Sequence, residues 1–334
     1  MLKSSIRAAV HAVAALSILT LSVAGCAGGS GSTPSVPNLP QVSNPANTGG
    51  GPPQATVSSS AVTDADRAAA ANATSYKTHN YLIRSLLSTK ANTKSLVYPA
   101  DLTYQGGAVL PKVGLYNVYV DSNPSDFGNV SLFQNSLSLS NMVHITDQYV
   151  HASTNNRYPD KMNISLGYPA FTTLGTNDLL AILHHVAQAQ GTGYGKMYNV
   201  FLPNGLDFCE TGTTLCSASA TSPNPAFCAF HGSVTFADIG HVLFSLEPFQ
   251  DTNFCAINGQ TQNDATYSTL SHETFETITD PDPASGWYDF NVGVSGEIGD
   301  LCAYLDQSVA LNGHTYNIQR EYSNNEHACS NSSS

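Results

Sequence analysis

The chain has 334 residues, of which 24 are acidic and 12 basic, giving a formal net charge of −12. The excess is one-sided: residues 27–196 carry 8 acids and 9 bases, whereas residues 197–334 carry 16 acids and a single base, Arg320. This balance excludes a nucleic-acid or anionic-lipid binding surface and marks the C-terminal half as a place that attracts cations.

Residues 1–25 read as an export signal. Lys3 and Arg7 lead into the apolar run AAVHAVAALSILTLSVAG, which is short for a membrane span and ends in small residues before Cys26. Cleavage there is expected to leave Cys26 as a lipidated N-terminus, holding the protein in the cell envelope and facing the periplasm or the cell exterior. Loss of two bases takes the formal charge from −12 to −14. Residues 26–61 are rich in Gly, Ser, Pro and Asn and bury too little surface to fold, so they are expected to form a disordered tether. A coil of about 35 residues reaches roughly 30 Å, enough to hold a domain off a membrane.

Residues 62–100 begin with a cap-like Thr63-Asp64 and an alanine run, and an N-terminal helical segment is expected there. Residues 101–330 are expected to form one globular domain of mixed α/β (α+β) class. Gly106 to Asp121 reads as a buried strand, LSNMVHITDQYV does not settle between helix and strand, and TNDLLAILHHVAQAQG reads as a helix capped by Thr176 or Asn177 and stopped by Gly191. KMYNVFLP is a further strand, and SVTFADIGHVLFSLEPF supplies one or two more. NDATYSTLSHETFETITDP is a second helix, with Asn263 or Asp264 as its cap and Pro281 as its stop.

Six cysteines follow Cys26, an even number that in an oxidising compartment implies disulfides. About fifteen connectivities are open to six cysteines. The expected set is Cys209 with Cys216, Cys228 with Cys255, and Cys302 with Cys329. A competing thiolate zinc site would use Cys228 and His231 in CAFH.

The second helix carries the chemistry. With Tyr267 at the origin of a helical wheel, Leu270, Thr274 and Ile278 fall within about 60° of it, a core-facing stripe. His272, Glu276 and Glu273 land near about 140°, 180° and 240°, on the opposite face. His272 and Glu276 stand one turn apart, a spacing that lets two side chains converge on one ion. Glu273 occupies the position that serves as general base in zinc peptidases with this pattern. A third ligand is sought downstream: Glu297 first, as in thermolysin-like enzymes, then Asp300, both in SGEIGDLC, then Asp282 in TDPDP. If Cys302 is bonded, Glu297 and Asp300 are pinned in a rigid loop.

Five more carboxylates follow within thirty residues of this helix without a Lys or Arg to pair them, and such crowding is tolerable only with a cation among them. Glu276 stands where a second histidine is usual. A carboxylate there weakens the ion as a Lewis acid and makes harder ions such as calcium more competitive. Zinc is therefore the expected cofactor, with calcium as the alternative. His184 and His185 share the earlier helix, where one of an adjacent pair must face away, and His144, His151, His231 and His241 lack partners at informative spacing. No phosphate loop or nucleophile elbow is present.

LTYQGGAVLPKVGLYNVYVD, SHETFETITDPDPASGWYD, GEIGDLCAY and YNIQREYSNNEHAC resemble the phosphate-induced, EXORDIUM-like family of plant cell-wall proteins and its bacterial secreted relatives. The likeness runs from about Asp101 to Cys329 and rests on His272-Glu273-x-x-Glu276, Trp287-Tyr288 and Glu297 to Cys302. It implies extracellular residence and, in plants, cell-wall or growth-related roles, with no assigned reaction. The lipobox and tether depart from the plant pattern, so wall signalling is not carried over. Two functions are expected in competition. One is a lipid-anchored protein with a zincin-like helix and a metallopeptidase-like site acting on peptide or wall polymer. The other is a noncatalytic module with a structural calcium whose loops bind polysaccharide or protein.

Overall fold

The computed structural model describes residues 56–90, 101–168, 172–257, 259–292 and 296–333. The expected export signal, Cys26 and residues 26–55 of the expected tether lie outside them. In chain order the elements are β1 (Thr56–Ser59), α1 (Asp64–Ala71), β2 (Thr74–Leu82), α2 (Arg84–Lys90), β3 (Thr103–Tyr104), β4 (Gly114–Val120), α3 (Val130–Ser138) and α4 (Asp147–Val150). Then come β5 (Asp160–Leu166), β6 (Thr173–Gly175), α5 (Thr176–Gln190), β7 (Lys196–Leu202), β8 (Asp207–Cys209), β9 (Cys216–Ser217), β10 (Pro225–Phe236) and β11 (Gly240–Pro248). The chain closes with α6 (Thr252–Cys255), α7 (Gln262–Thr279), β12 (Trp287–Tyr288), β13 (Asp306–Leu311), β14 (His314–Gln319), β15 (Glu321–Ser323) and β16 (Ala328–Ser330).

The main sheet runs β1-β5-β4-β7-β11-β10-β9-β8-β6, with β2 paired to β10 off that path. Strands β1, β5, β4, β7 and β11 are parallel neighbours, while β10 is antiparallel to both β11 and β2. Parallel neighbours require crossovers, and the crossovers bring helices to both faces, which is why GLYNVYV and KMYNVFL read as nearly continuous apolar runs. Alternate side chains divide between two cores. Leu115, Tyr119, Met197, Phe201 and Leu243 join one with Phe133 of α3, Leu270 and Ile278 of α7, and Leu311 and Ile318 of the β13–β14 hairpin. Val118, Val200, Val242 and Phe244 join the other with Ala70 of α1 and Leu179, Leu183 and Val186 of α5.

Two expectations change here. Residues 56–59, counted with the tether, form strand β1 and pair with β5. Of the segment 62–100, residues 91–100 lie outside the described residues; the rest contributes helix α1, but β2 follows it and lies against β10, so this part, residues 62–90, belongs to the same compact unit as the sheet. Its alternation TSYKTHNYL, with every second residue from His79 to Tyr81 buried, is a strand signal that the alanine run before it overshadows. The three disulfides are Cys209–Cys216, Cys228–Cys255 and Cys302–Cys329. With Cys228 bonded to Cys255, the thiolate zinc site with His231 is ruled out. Helix α7 is capped by Thr261 rather than by Asn263 or Asp264. The hydroxyl of Thr261 accepts the Asp264 amide at 3.2 Å while the Asp264 carboxylate accepts the Thr261 amide at 2.9 Å, a reciprocal capping box.

The sheet register places a polar row across its α7 side. His79 of β2 stands opposite His231 of β10, His231 opposite Ser245 of β11, Ser245 opposite Asn199 of β7, and Asn199 opposite Asn117 of β4. Ser245 donates to Asn199 at 3.1 Å and Asn199 donates to Asn117 at 2.9 Å, so the buried amides are satisfied within the row. The two histidines at the end of the row open onto α7.

Candidate metal centre

Helix α7 packs against β2, β10, β11 and β14, and every residue from Ala265 to Thr279 is buried. The core-facing stripe enters the apolar core, and the opposite face, with the ionisable groups, is enclosed by β2, β10 and the turn Asp300–Cys302. His272, Glu273, Glu276 and Glu297 are each 0% exposed, and Asp300 is 8% exposed.

The structure brings together His272, Glu273, Glu276, Glu297 and Asp300, and it adds two imidazoles, His79, which the sequence did not mark, and His231, which it marked only for a thiolate site with Cys228. Nε2 of His272 is 3.0 Å from Oε1 of Glu276 and 3.9 Å from Oδ1 of Asp300. Nδ1 of His231 is 3.3 Å from both Oε2 of Glu273 and Oε2 of Glu276. Nδ1 of His79 is 3.4 Å from Oε1 of Glu297. Three sets of donors each lie within 4.8 Å of one another: His272, Glu276 and Asp300; His231, Glu273 and Glu276; His79, Glu276 and Glu297. Glu276, the residue that replaces the usual second histidine, is common to all three.

The rings are held from behind. His272 stacks on Tyr81 at 3.9 Å between centroids, and the Gln319 amide lies 3.0 Å from its Nδ1 and 2.8 Å from the Gly299 carbonyl. Nε2 of His79 is 2.5 Å from Oδ2 of Asp300, and Nε2 of His231 is 3.2 Å from the Asp280 carbonyl. Asp300 behind Nε2 of His79 is the carboxylate–imidazole arrangement found behind metal-bound histidines and leaves Nδ1 toward Glu297, whereas both nitrogens of His231 face the cluster, Nε2 lying 3.4 Å from Oε2 of Glu297. The disulfide Cys302–Cys329 anchors the Asp300 turn.

Burial pushes the carboxyls of Glu273 and Glu297 far up, and the Glu276 charge adds to the effect. Asp300 is raised by burial and by Glu276, although His79 pulls the other way. Burial acts on Glu276 too, but His272, His231 and His79 outweigh it and hold this carboxylate well below its usual range. Burial disfavours the charged form of His79, yet Asp300 beside it raises the imidazole to about 9. Among the described residues, the Lys and Arg ion pairs are Arg67 with Asp178 and Arg157 with Asp147, and neither reaches the cluster.

Several buried atoms in this cluster have no hydrogen-bond partner: Nδ1 of His231, Nε2 of His272, Oε2 of Glu276, and both carboxylate oxygens of Glu273 and Glu297. An orphaned buried polar atom costs about 1–3 kcal/mol, and more when charged, so this many in one place fits a cation that completes them.

Asp282 is not part of the group. It pairs with Nε2 of His241 at 3.1 Å and accepts the Tyr194 hydroxyl at 2.6 Å. The Asp280 carboxylate accepts the amides of Ala284, Ser285 and Gly286 at 2.6, 2.9 and 2.6 Å, which closes the turn after α7, and it stands near enough to Glu297 to raise that carboxyl further. His184 and His185 do not face apart as expected: both reach Asp66 of α1, with Nδ1 distances of 2.7 and 3.0 Å.

Comparison of the chain with protein-family models, with curated proteins and with solved structures finds no match in any of the three.

Proposed function

We propose that this protein is an extracytoplasmic, zinc-dependent hydrolase acting on peptide or cell-wall polymer, with α7 as a zincin-like active-site helix. The observation that carries this reading is the convergence of unpartnered donors on Glu276, fully buried and without a Lys or Arg among them. Their spacing fits zinc. A tetrahedral shell of about 2.0–2.1 Å radius sets its ligands roughly 3.3 Å apart, and the imidazole–carboxylate separations run from 3.0 to 3.9 Å. Imidazole nitrogens favour zinc over calcium, which takes oxygen donors.

In this reading His272, Glu276 and Asp300 hold the ion. When bound, zinc supplies a Lewis acid that polarises a carbonyl and a water of lowered pKa. Glu273 follows His272 on the helix, and with a cation beside it to favour its charged form, its oxygens would take the proton from the attacking water. Nδ1 of His231, 3.3 Å from that carboxylate, would be placed to take the proton on from it. Extracytoplasmic placement is supported by the lipobox at Cys26, the three disulfides and the EXORDIUM-like motifs. The near-complete burial of the cluster favours a second reading, a noncatalytic envelope module in which the ion is structural.

Metal analysis of protein purified without chelator separates them. Zinc in the wild type, with Glu273→Gln retaining the metal and losing hydrolysis on a panel of peptides and glycans, is expected from the enzyme. Calcium alone, or a Glu273→Gln protein as active as wild type, overturns it. Zinc in both proteins with hydrolysis by neither is the structural module.

A further inference from the structure

The ligands expected from the sequence for one ion are sorted by the structure into two sets. Asp300 closes on His272, whereas Glu297 joins His79, and Glu276 belongs to both sets. We propose that the centre is dinuclear: one divalent cation is bound by His272, Glu276 and Asp300, a second by Nδ1 of His79 and Glu297, and the Glu276 carboxylate bridges them. The proposal rests on the metal-binding reading above and extends it to a second ion.

Three observations carry it. First, the two oxygens of Glu276 are divided: Oε1 faces His272 at 3.0 Å and accepts the Asp300 amide at 3.1 Å, while Oε2 has no hydrogen-bond partner and lies 3.3 Å from Nδ1 of His231. A carboxylate split in this way bridges ions about 3.5–4 Å apart. Second, His79 is prepared as a ligand. Asp300 accepts the proton of its Nε2, leaving Nδ1 directed at Glu297, both of whose oxygens are buried and orphaned. Third, Glu297 is fully buried, and among the described residues no Lys or Arg pairs with it; a second dication would supply the countercharge that an ion held by Glu276 and Asp300 does not. Hydrolases that align a water and a scissile bond between two ions use this arrangement.

The test is stoichiometry. Protein purified in zinc-containing medium and freed of loosely held metal is expected to contain about two zinc ions per chain, and Glu297→Gln about one. A wild type with one ion, unchanged by Glu297→Gln, overturns the second site and leaves the first standing. A wild type with none overturns both. Should Glu297→Gln fail to fold, titration of the metal-free wild type with cobalt(II) decides. Two equivalents with spin coupling between the ions support the bridge, whereas saturation at one equivalent, or two uncoupled ions, overturns it.

Discussion

Gly299 lies against the ring of His272 so closely that a Cβ at position 299 would stand 2.5 Å from Nδ1 and 2.8 Å from Cε1. The glycine lets the turn that delivers Asp300 approach the helix that delivers His272 and Glu276. Gly299→Ala is expected to push the imidazole out of line, at an overpacking cost of about 1–3 kcal/mol. Calorimetry should record a lower Tm together with reduced metal content. An unchanged metal content would mean that the ring position does not matter to binding.

Removing the metal should destabilise the whole domain, because the cluster lies between α7, β2 and β10 rather than at the surface. A ligand present at about 1,000 times its Kd stabilises by about 4 kcal/mol, so EDTA dialysis should lower Tm by several degrees and zinc should restore it. A Tm indifferent to EDTA would mean that the carboxylates pack without an ion.

The Cys302–Cys329 disulfide joins residues 27 positions apart, and in the chain-entropy model a loop of that size is worth about 3–4 kcal/mol. The double variant Cys302→Ser with Cys329→Ser is expected to lose that stability in urea unfolding and to bind metal more weakly, since the turn carrying Asp300 loses its anchor. A corresponding change at Cys209 and Cys216, on the β8–β9 edge, should leave metal affinity alone.

Helices α1 and α5 are joined by a titratable network. Burial opposes the Asp66 charge, but hydrogen bonds from the Thr63 hydroxyl and amide and from His184 and His185 lower its pKa from 3.8 to about 2. Burial likewise opposes the charge on His184, and Asp238 and Asp66 outweigh it, so the imidazole is raised above 6.5. The lowered carboxyl stabilises fully above 3.8, and that contribution fades as pH falls through about 2. The raised imidazole stabilises fully below 6.5 and loses its contribution as pH climbs through its folded value. The contact between the two helices is thus strongest from about pH 4 to 6.5. Asp66→Asn should cost on the order of 2 kcal/mol in that window and flatten the profile on both sides, as measured by urea unfolding across pH.

The legible part of the centre was the part confined to one helix. A period of 3.6 residues places His272, Glu273 and Glu276 side by side whatever surrounds them, and the carboxylates of SGEIGDLC follow closely in sequence. His79 and His231 were not legible because their proximity is a matter of strand register. Each sits in an alternating run, TSYKTHNYL and CAFHGSVTF, but nothing local pairs one with the other. The enclosure of the polar face of α7 was not legible for the same reason. Composition shows Thr, Ser and Glu on that face, whereas only the tertiary fold shows β2 and β10 lying over it. Asp282 had a plausible offset from His272, yet a proline on each side directs it to His241 and Tyr194.

The pairing of β2 with β10 also governs when the protein becomes competent. His79 and Asp300 touch across 221 positions, so a chain growing from its N-terminus carries one half of this pocket long before the other half exists. Closing so large a loop is slow, and loading must wait for it. An ion bound there would therefore enter a nearly finished molecule, and a truncation that removes the last fifty residues, Glu297 and Asp300 among them, would leave two of the three donor sets incomplete.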